Sequence, residues 1–176
     1  MERYTKIILS GLKCVGKTSL FWDLQKRLNW PTFSASQFLR DYIRNHQLSA
    51  ADLEAHEAKM GQEIDQRIED LLNHPYPVLI EARVFGGIIK PWPGTLRLLL
   101  EAKDQVRFQR SAGREGIDMA KAEKRLQKRE GKWLQTMHER YGLENFYNHD
   151  YYDWVIDTSQ LSKEQVVEMV LNKVKT

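Results

Sequence analysis

One short segment constrains the fold more than any other part of this chain. Residues 11–18 read Gly-Leu-Lys-Cys-Val-Gly-Lys-Thr, a G-x-x-x-x-G-K-[ST] loop. The run before it, residues 4–10, is rich in strand-forming residues, and residues 19–28 carry apolar side chains at helical spacing. In such a strand–loop–helix unit, backbone N–H groups and the helix N-terminus together form a cradle for anions. The segment therefore predicts a phosphate-binding loop, and the alternative is a turn that carries two glycines and a lysine without that role.

The motif also assigns roles to single residues. A lysine at the position of Lys17 can reach the outer phosphates of a nucleotide, and the hydroxyl of Thr18 can ligate Mg²⁺. The backbone of the whole loop is expected to surround the phosphate chain. The predicted nucleotide-binding residues are Gly11, Leu12, Lys13, Cys14, Val15, Gly16, Lys17, Thr18 and Ser19.

Length and composition exclude several classes of protein. A chain of 176 residues fits one domain with a single sizeable core. The one cysteine, Cys14, excludes an internal disulfide and suits a reducing cytoplasm. The five histidines show no metal-ligand spacing, so we expect no structural zinc. Apolar runs are too short to cross a membrane, and we expect neither a signal peptide nor a location outside the cytoplasm.

Positive charge is concentrated in one segment. Residues 107–140 hold ten Lys or Arg and five Asp or Glu, a net charge of +5, whereas the remainder of the chain carries −2. This excess indicates either a polyanionic ligand or a solvated charged helix. The segment lacks the regularly interleaved aromatic residues typical of nucleic-acid binding. A nucleic-acid partner is therefore the weaker interpretation. The loop motif instead predicts small-molecule nucleotides as partners, and the short apolar runs predict no membrane partner.

The basic segment also has helical periodicity. Apolar residues at steps of three or four, or multiples of these, form one stripe: Met119, Ala122, Leu126, Trp133, Met137 and Tyr141. Cationic residues form a second stripe: Lys121, Arg125, Lys128, Arg129 and Lys132. A helix that packs on one side and is cationic on another can cover a phosphate chain.

Strands and helices alternate along the sequence, which predicts a three-layer α/β fold around a parallel sheet of about five strands. A capping box, Ser162 with Gln165, predicts the start of the last helix. The predicted strands are residues 4–10, 32–34, 77–82, 95–101 and 153–157. The predicted helices between the first and third strands, after the P-loop helix, are residues 36–46, 49–60 and 61–73.

Longer blocks of sequence resemble known families. Val15-Gly16-Lys17-Thr18-Ser19-Leu20 is similar to small GTPases, but the chain has neither their Asp-x-x-Gly switch nor their Asn-Lys-x-Asp motif. Most of the chain instead resembles the nucleoside monophosphate kinases, and most closely the short cytidylate kinases of archaeal type. The blocks that carry the resemblance are residues 7–20, 34–40, 63–67, 78–84, 106–110, 114–116, 129–130, 152–159 and 161–167.

The resemblance implies phosphorylation of a nucleoside monophosphate, with CMP or dCMP as the first guess and with ATP and Mg²⁺ as cofactors. It implies a P-loop kinase fold with an acceptor-binding insert at 34–75 and a lid at 110–136. The matching catalytic residues are Lys17, Arg83, Arg110, Arg114 and Arg129, with Arg125 and Lys132 on the returning helix of the lid. The matching acceptor-binding residues are Arg40, Asp65, Arg67 and Arg83. Apart from the resemblance, two residues are candidates for Mg²⁺: Thr18 from the loop motif, and Glu81, which sits at a strand end and would hold Mg²⁺-bound water or pair with a nearby arginine.

The chain departs from the family at a few positions. Cys14 stands where the loop usually has glycine, Ser36-Gln37 where the family has Gly-Asp, and Thr136 where it has a further arginine. Lys132 or Arg140 is a candidate substitute for that arginine. These departures leave two alternatives open: a kinase for another small phosphoacceptor, or a catalytically weak nucleotide-binding regulator. We expect a monomer or a weak oligomer.

Overall fold

A five-stranded parallel sheet forms the centre of the protein. The computed structural model describes residues 4–49 and 52–175. The strand order is β2-β3-β1-β4-β5, and every neighbouring pair is parallel. The strands are β1 (Lys6–Ser10), β2 (Thr32–Ser34), β3 (Val78–Glu81), β4 (Thr95–Glu101) and β5 (Trp154–Asp157).

Helices connect the strands. No helix within the described residues is long and apolar enough to span a membrane. A 3₁₀ turn at His149–Tyr151 precedes β5. The α-helices in the described part of the chain are α1 (Lys17–Leu28), α2 (Ala35–Asn45), α3 (Asp52–Asn73), α4 (Phe85–Ile88), α5 (Asp104–Glu115), α6 (Met119–Tyr141) and α7 (Lys163–Lys175).

The core lies on both faces of the sheet, because successive side chains of a strand point in opposite directions. All five residues of the central strand β1 are buried. Ile7 and Leu9 face a cluster that includes residues of α1 and α7. Ile8 faces the opposite cluster, in which Ile68 and Leu72 of α3 are fully or almost fully buried. Helices therefore cover both faces, which is the predicted three-layer arrangement.

The predicted strands and parallel sheet are confirmed, but one helix prediction is wrong. Helices were expected at 49–60 and 61–73, whereas α3 is a single helix over Asp52–Asn73; residues 50 and 51 lie outside the described residues. The glycine at the expected break, Gly61, lies within the helix, and its missing side chain leaves room for Arg140. A Cβ atom there would lie 1.3 Å from Nη1 of Arg140.

The start of α7 confirms its predicted capping box, and the end of α1 follows from local residue preferences. Ser162 and Gln165 form the predicted capping box: the Gln165 N–H donates to Ser162 Oγ at 3.1 Å, and the Ser162 N–H donates to Gln165 Oε1 at 2.7 Å. Asn29 ends α1 in a left-handed conformation with φ 53°. Asparagine tolerates this conformation better than most residues, and Pro31 then prevents the helix from resuming.

Candidate active site

The loop at residues 11–16 joins β1 to α1 at the carboxyl edge of the sheet. Gly11 has φ 135° and Gly16 has φ 101°, conformations that side chains rarely adopt. A Cβ atom on Gly11 would lie 2.1 Å from the carbonyl oxygen of Leu100 in β4, so only glycine fits there. Gly16 directly precedes the first residue of α1. Both glycines of the motif are therefore required by the backbone path.

Cys14 adopts the same left-handed region, with φ 64°. This is the position at which the resembling family usually has glycine. A residue with a Cβ atom in this region costs about 1–2 kcal/mol. The departure noted in the sequence thus coincides with a strained backbone position in the loop.

Side chains bind all five backbone carbonyls from residue 11 to residue 15. Nζ of Lys17 donates to the carbonyls of Gly11 at 2.6 Å and Leu12 at 2.7 Å. The other three carbonyls each accept one hydrogen bond. Arg107 Nε donates to Lys13 O at 3.0 Å, Arg110 Nη1 to Cys14 O at 3.2 Å, and Thr158 Oγ1 to Val15 O at 2.9 Å. These partners hold the carbonyls, and the N–H groups of Gly11 and Lys13 donate to Arg83 O and Glu130 Oε1. The other N–H groups of the loop are therefore the backbone groups suited to bind an anion.

Lys17 is buried within the loop. Burial lowers the pKa of Lys17 to about 8, an effect that the neighbouring Glu81 carboxylate partly offsets. Arg83 and Glu130 also lie close enough for their charges to act on the pKa of Lys17. The ammonium is bound to the carbonyls of Gly11 and Leu12, and its role toward a phosphate stays a prediction.

Glu130 connects α6 to the loop. Its Oε1 accepts the Lys13 N–H at 2.9 Å, and its Oε2 pairs with Nη2 of Arg107. Arg107 also binds Asp104 at 2.6 Å. Both Glu130 and Arg107 are buried. This ion pair fixes α5 and α6 against the nucleotide loop.

Two of the predicted lid arginines contact the loop directly. Arg110 donates to the Cys14 carbonyl, as described above. It also donates to Oγ1 of Thr158 at 3.0 Å and to the backbone oxygen of Thr158 at 2.8 Å. Arg114 donates to Sγ of Cys14 at 3.4 Å. The arginines at the end of α5 therefore lie beside the phosphate cradle.

The two stripes of α6 occupy different environments. Ala122 and Leu126 are buried, whereas Met119, at the start of the apolar stripe, is 45% exposed. The residues of the cationic stripe are exposed. Arg125 and Arg129 pair with Glu115 at 3.3 Å and 3.5 Å.

Charges converge where α6 faces the loop. Burial lowers the pKa of Lys13, and the neighbouring Arg83 and Arg129 charges lower it further. Lys13 of the loop, Arg83 at the end of β3 and Arg129 of the lid thus lie near one another. Such a cluster is favourable when an anion is bound among them.

Arg83 lies beside the loop because its carbonyl accepts the Gly11 N–H at 2.9 Å. Its guanidinium carbon stacks 3.9 Å above the ring of Trp133 from α6. Nη2 of Arg83 is buried, without a hydrogen-bond partner among the described residues. Burial lowers the pKa of Arg83. A cation with a buried, unpaired nitrogen at this point is suited to bind an anionic group.

Glu81, at the end of β3, is held by hydroxyl groups. Its Oε2 accepts from Ser34 Oγ at 2.7 Å and from Ser36 Oγ at 2.9 Å. Among the described residues, no group of three or more His, Cys, Asp or Glu could hold a metal ion. The Thr18 hydroxyl and the Glu81 carboxylate are oxygen donors, which suits Mg²⁺ bound mainly through nucleotide phosphates and water.

Two of three predicted acceptor residues are bound by neighbouring side chains. Arg40 is exposed and donates to Gln37 Oε1 at 2.8 Å. Asp65 accepts from Arg140 at 2.7 Å and from the Tyr141 hydroxyl at 2.8 Å, which ties α3 to α6. This pairing also engages Arg140, one candidate substitute for the arginine missing at 136.

The third residue, Arg67, lines a surface pocket of about 540 Å³ to which no P-loop residue contributes. Its neighbours there include Asp70, His74 and Pro75. The roles of Arg40, Asp65 and Arg67 toward an acceptor stay predictions.

Five residues at the site were not assigned a role from the sequence: Arg107, Glu130, Trp133, Tyr147 and Thr158. Arg107, Glu130 and Thr158 lie inside the blocks that resemble the kinase family, which was a usable signal. Trp133 was recognised only as part of an apolar stripe. Tyr147 lies in a loop without a motif, and only the fold brings it to the site.

Comparison with solved structures identifies the architecture. A shikimate kinase from Bacteroides thetaiotaomicron superposes with a TM-score of 0.60 at 15% identity, over 97% of this chain and 98% of that chain. The parallel sheet and its loop therefore define a P-loop kinase fold. The cytidylate kinase-like family matches residues 17–160, and the chain belongs to this family.

Curated relatives agree with the family. A cytidylate kinase of Pyrococcus abyssi is 29% identical over 93% of this chain and 90% of that protein. An S-adenosylmethionine-dependent nucleotide dehydratase of Lacinutrix mariniflava is 26% identical over 95% of this chain. The chain spans only 35% of the length of that dehydratase. The protein is thus a cytidylate-kinase-like P-loop kinase.

Proposed function

We propose that the protein transfers the γ-phosphate of ATP to a nucleoside monophosphate, with CMP or dCMP as the preferred acceptor. The β–γ bond of ATP breaks, a bond forms between the γ-phosphorus and an acceptor phosphate oxygen, and ADP leaves. The proposal is supported by family membership and by the cytidylate kinases among the curated relatives.

The observation that carries the proposal is the position of Arg83. A buried guanidinium with an unpaired nitrogen lies beside the P-loop, and its backbone is bonded to Gly11. A kinase that joins two phosphates needs a cation for the acceptor next to the cradle for the donor. A protein that only binds ATP does not require this second cation.

Each group in the site has a task in this reaction. The loop N–H groups and Lys17 bind the donor phosphates, and Arg83 orients the acceptor phosphate in line with them. Arg110, Arg114 and Arg129 face the charge that develops during transfer. Thr18 and Glu81 would hold Mg²⁺, which would neutralise charge on the phosphate oxygens when bound. The lid excludes water, which limits hydrolysis of ATP.

A second candidate is a kinase for another small phosphoacceptor. Asp65, which the resemblance assigns to the acceptor base, already accepts hydrogen bonds from Arg140 and Tyr141. The Ser36-Gln37 pair replaces the family's Gly-Asp at the start of the acceptor helix. Both observations concern the acceptor and leave the donor site unchanged.

A coupled assay with ATP, Mg²⁺ and a panel of acceptors tests the proposal. The panel contains CMP, dCMP, UMP, AMP, GMP and shikimate, each over a range of concentrations. We expect the highest kcat/KM for CMP or dCMP. A tenfold preference, about 1.4 kcal/mol of transition-state binding, for AMP would overturn the CMP specificity, and the same preference for shikimate would establish the second candidate. ATP binding without turnover of any acceptor would identify a regulator.

A further inference from the structure

A second buried polar group without a partner lies in the region of Arg83. The hydroxyl of Tyr147 is buried and has no hydrogen-bond partner among the described residues. Leaving a buried hydroxyl unpaired is unfavourable, so such groups in native proteins call for an explanation. Within the described residues, only four side chains contain such an atom: Tyr42, Arg83, Thr95 and Tyr147.

The fold holds the Tyr147 segment against the segment that follows Arg83. The neighbouring residue Phe146 is 1% exposed, and its carbonyl accepts the Tyr152 hydroxyl at 2.8 Å. A Cβ atom on Gly87 of α4 would lie 2.4 Å from that same carbonyl oxygen. Because α4 begins two residues after Arg83, this close contact fixes Tyr147 on the acceptor side of the site.

The electrostatic environment links the two orphan groups. The Arg83 and Tyr147 charges each act on the pKa of the other group. Burial raises the pKa of Tyr147, so its hydroxyl keeps its proton at neutral pH and remains a donor. Arg83 has one face stacked on Trp133, which leaves its in-plane N–H groups for a ligand.

We propose that Tyr147 is a substrate-binding residue whose hydroxyl donates a hydrogen bond to the acceptor phosphate that Arg83 binds. This inference rests on the proposed function. A phosphate has several acceptor oxygens, so one anion satisfies both orphan donors at once. Arg83 supplies the charge, while Tyr147 supplies a neutral donor from the loop between α6 and β5. Trp133 supports the guanidinium from below and acts as a positioning residue.

Tyr147→Phe tests the inference, because it removes one oxygen and keeps the ring. We expect kcat/KM for the best acceptor of the panel to fall about tenfold, while the KM for ATP stays within twofold. The melting temperature should stay the same or rise, because the variant removes a buried hydroxyl that has no partner in the free protein. A residue with a purely structural role would not give this combination.

Two matched variants serve as controls. Tyr76→Phe changes a tyrosine that is 64% exposed, and it should alter neither stability nor kinetics. Tyr152→Phe removes the hydroxyl bonded to Phe146, so it should lower the melting temperature. The inference is overturned if Tyr147→Phe has the acceptor kcat/KM of the wild type. It is also overturned if the variant behaves like Tyr152→Phe, with lower stability and no selective loss toward the acceptor.

A separate measurement keeps this inference distinct from the proposed function. If the wild type phosphorylates no monophosphate, the proposed function fails. Inorganic phosphate is then titrated calorimetrically into protein whose P-loop is saturated with a non-hydrolysable ATP analogue. Weaker phosphate binding by Tyr147→Phe than by the wild type supports the anion site on its own. Equal affinity in the two proteins overturns it.

Discussion

The donor and acceptor sides of the site are built differently. On the donor side, carbonyls of five consecutive residues, 11–15, are bound by the side chains of Lys17, Arg107, Arg110 and Thr158. On the acceptor side, Arg83 and Tyr147 each contain a buried polar atom with no partner in the described part of the chain. The carbonyls of the donor cradle are all bound without ligand, whereas the acceptor side retains polar groups that a ligand would satisfy.

This difference has a physical origin. A cradle made from backbone N–H groups depends on loop conformation, so its carbonyls must be fixed before the nucleotide arrives. Acceptor recognition depends on side chains from several elements. The donor side is preorganised, whereas the acceptor side has unpaired hydrogen-bond donors. An acceptor that binds there would supply the partners that these donors lack in the free protein.

The largest expected effect concerns Lys17. We expect Lys17→Ala to lower turnover at least about 10³-fold, because a cation that binds the transferred phosphate is lost. The fold should remain intact, since α1 keeps its buried face of Leu20, Phe21 and Leu24. Turnover and circular dichroism are compared with Lys26→Ala, an exposed lysine on the same helix. Turnover near that of the wild type in Lys17→Ala would contradict the kinase assignment.

The next largest effect concerns the lid. Arg129→Ala is expected to lower kcat about 10²-fold and to change ATP affinity much less, because the residue acts mainly on developing charge. Arg125 binds the same Glu115 from one turn earlier and serves as the control; Arg125→Ala should reduce kcat only a few-fold.

Amide exchange in residues 110–136 tests closure of the lid. It should slow on addition of a bisubstrate analogue, and more than exchange in β1 and β3 does. Unchanged exchange combined with a pure binding defect in Arg129→Ala would indicate a static basic helix and favour the regulator alternative.

The pH dependence of ATP binding tests the environment of Lys17. The pKa of Lys17 in the free protein is about 8, and a bound phosphate favours the charged form, which raises this pKa. Affinity for a non-hydrolysable ATP analogue should therefore fall about tenfold between pH 7.5 and 9, with proton uptake on binding. Calorimetry measures both quantities. In Lys17→Arg the guanidinium stays charged, so a profile as steep as that of the wild type would assign the titration to another group.

A smaller effect distinguishes two roles of Asp65. Asp65→Ala removes the acceptor of hydrogen bonds from Arg140 and Tyr141, so it should lower the free energy of unfolding by about 2 kcal/mol. Asp70→Ala, which loses only an exposed bond from Gln66 on the same helix, should cost less than about 0.5 kcal/mol. Urea unfolding measures the two values. Unchanged stability with altered base preference would show that Asp65 reads the acceptor instead of joining α3 to α6.

Much of the donor side was predictable from the sequence, because it depends on local signals. The glycines, Lys17 and the helix start identify the loop, and alternation of strands and helices identifies the parallel sheet. The acceptor side was less predictable. Arg83 follows a buried strand and was found, but Tyr147 comes into position only through the contact between its loop and α4. The break expected at Gly61 is absent, and the sequence did not reveal that this glycine leaves space for a distant side chain, Arg140.

The smallest expected effect returns to the donor loop and concerns backbone strain. Cys14 has φ 64°, and glycine adopts this conformation without the steric cost of a Cβ atom, although it loses more chain entropy on folding. Cys14→Gly should therefore raise the free energy of unfolding by up to about 1 kcal/mol. Cys14→Ser keeps the Cβ atom and the strain, so it should not be stabilised. If both variants gain equally, the sulfur and its contact with Arg114, and not the backbone, determine the effect. If Cys14→Gly is more stable than the wild type and Cys14→Ser is not, the backbone of the donor loop is strained at residue 14, and glycine relieves that strain.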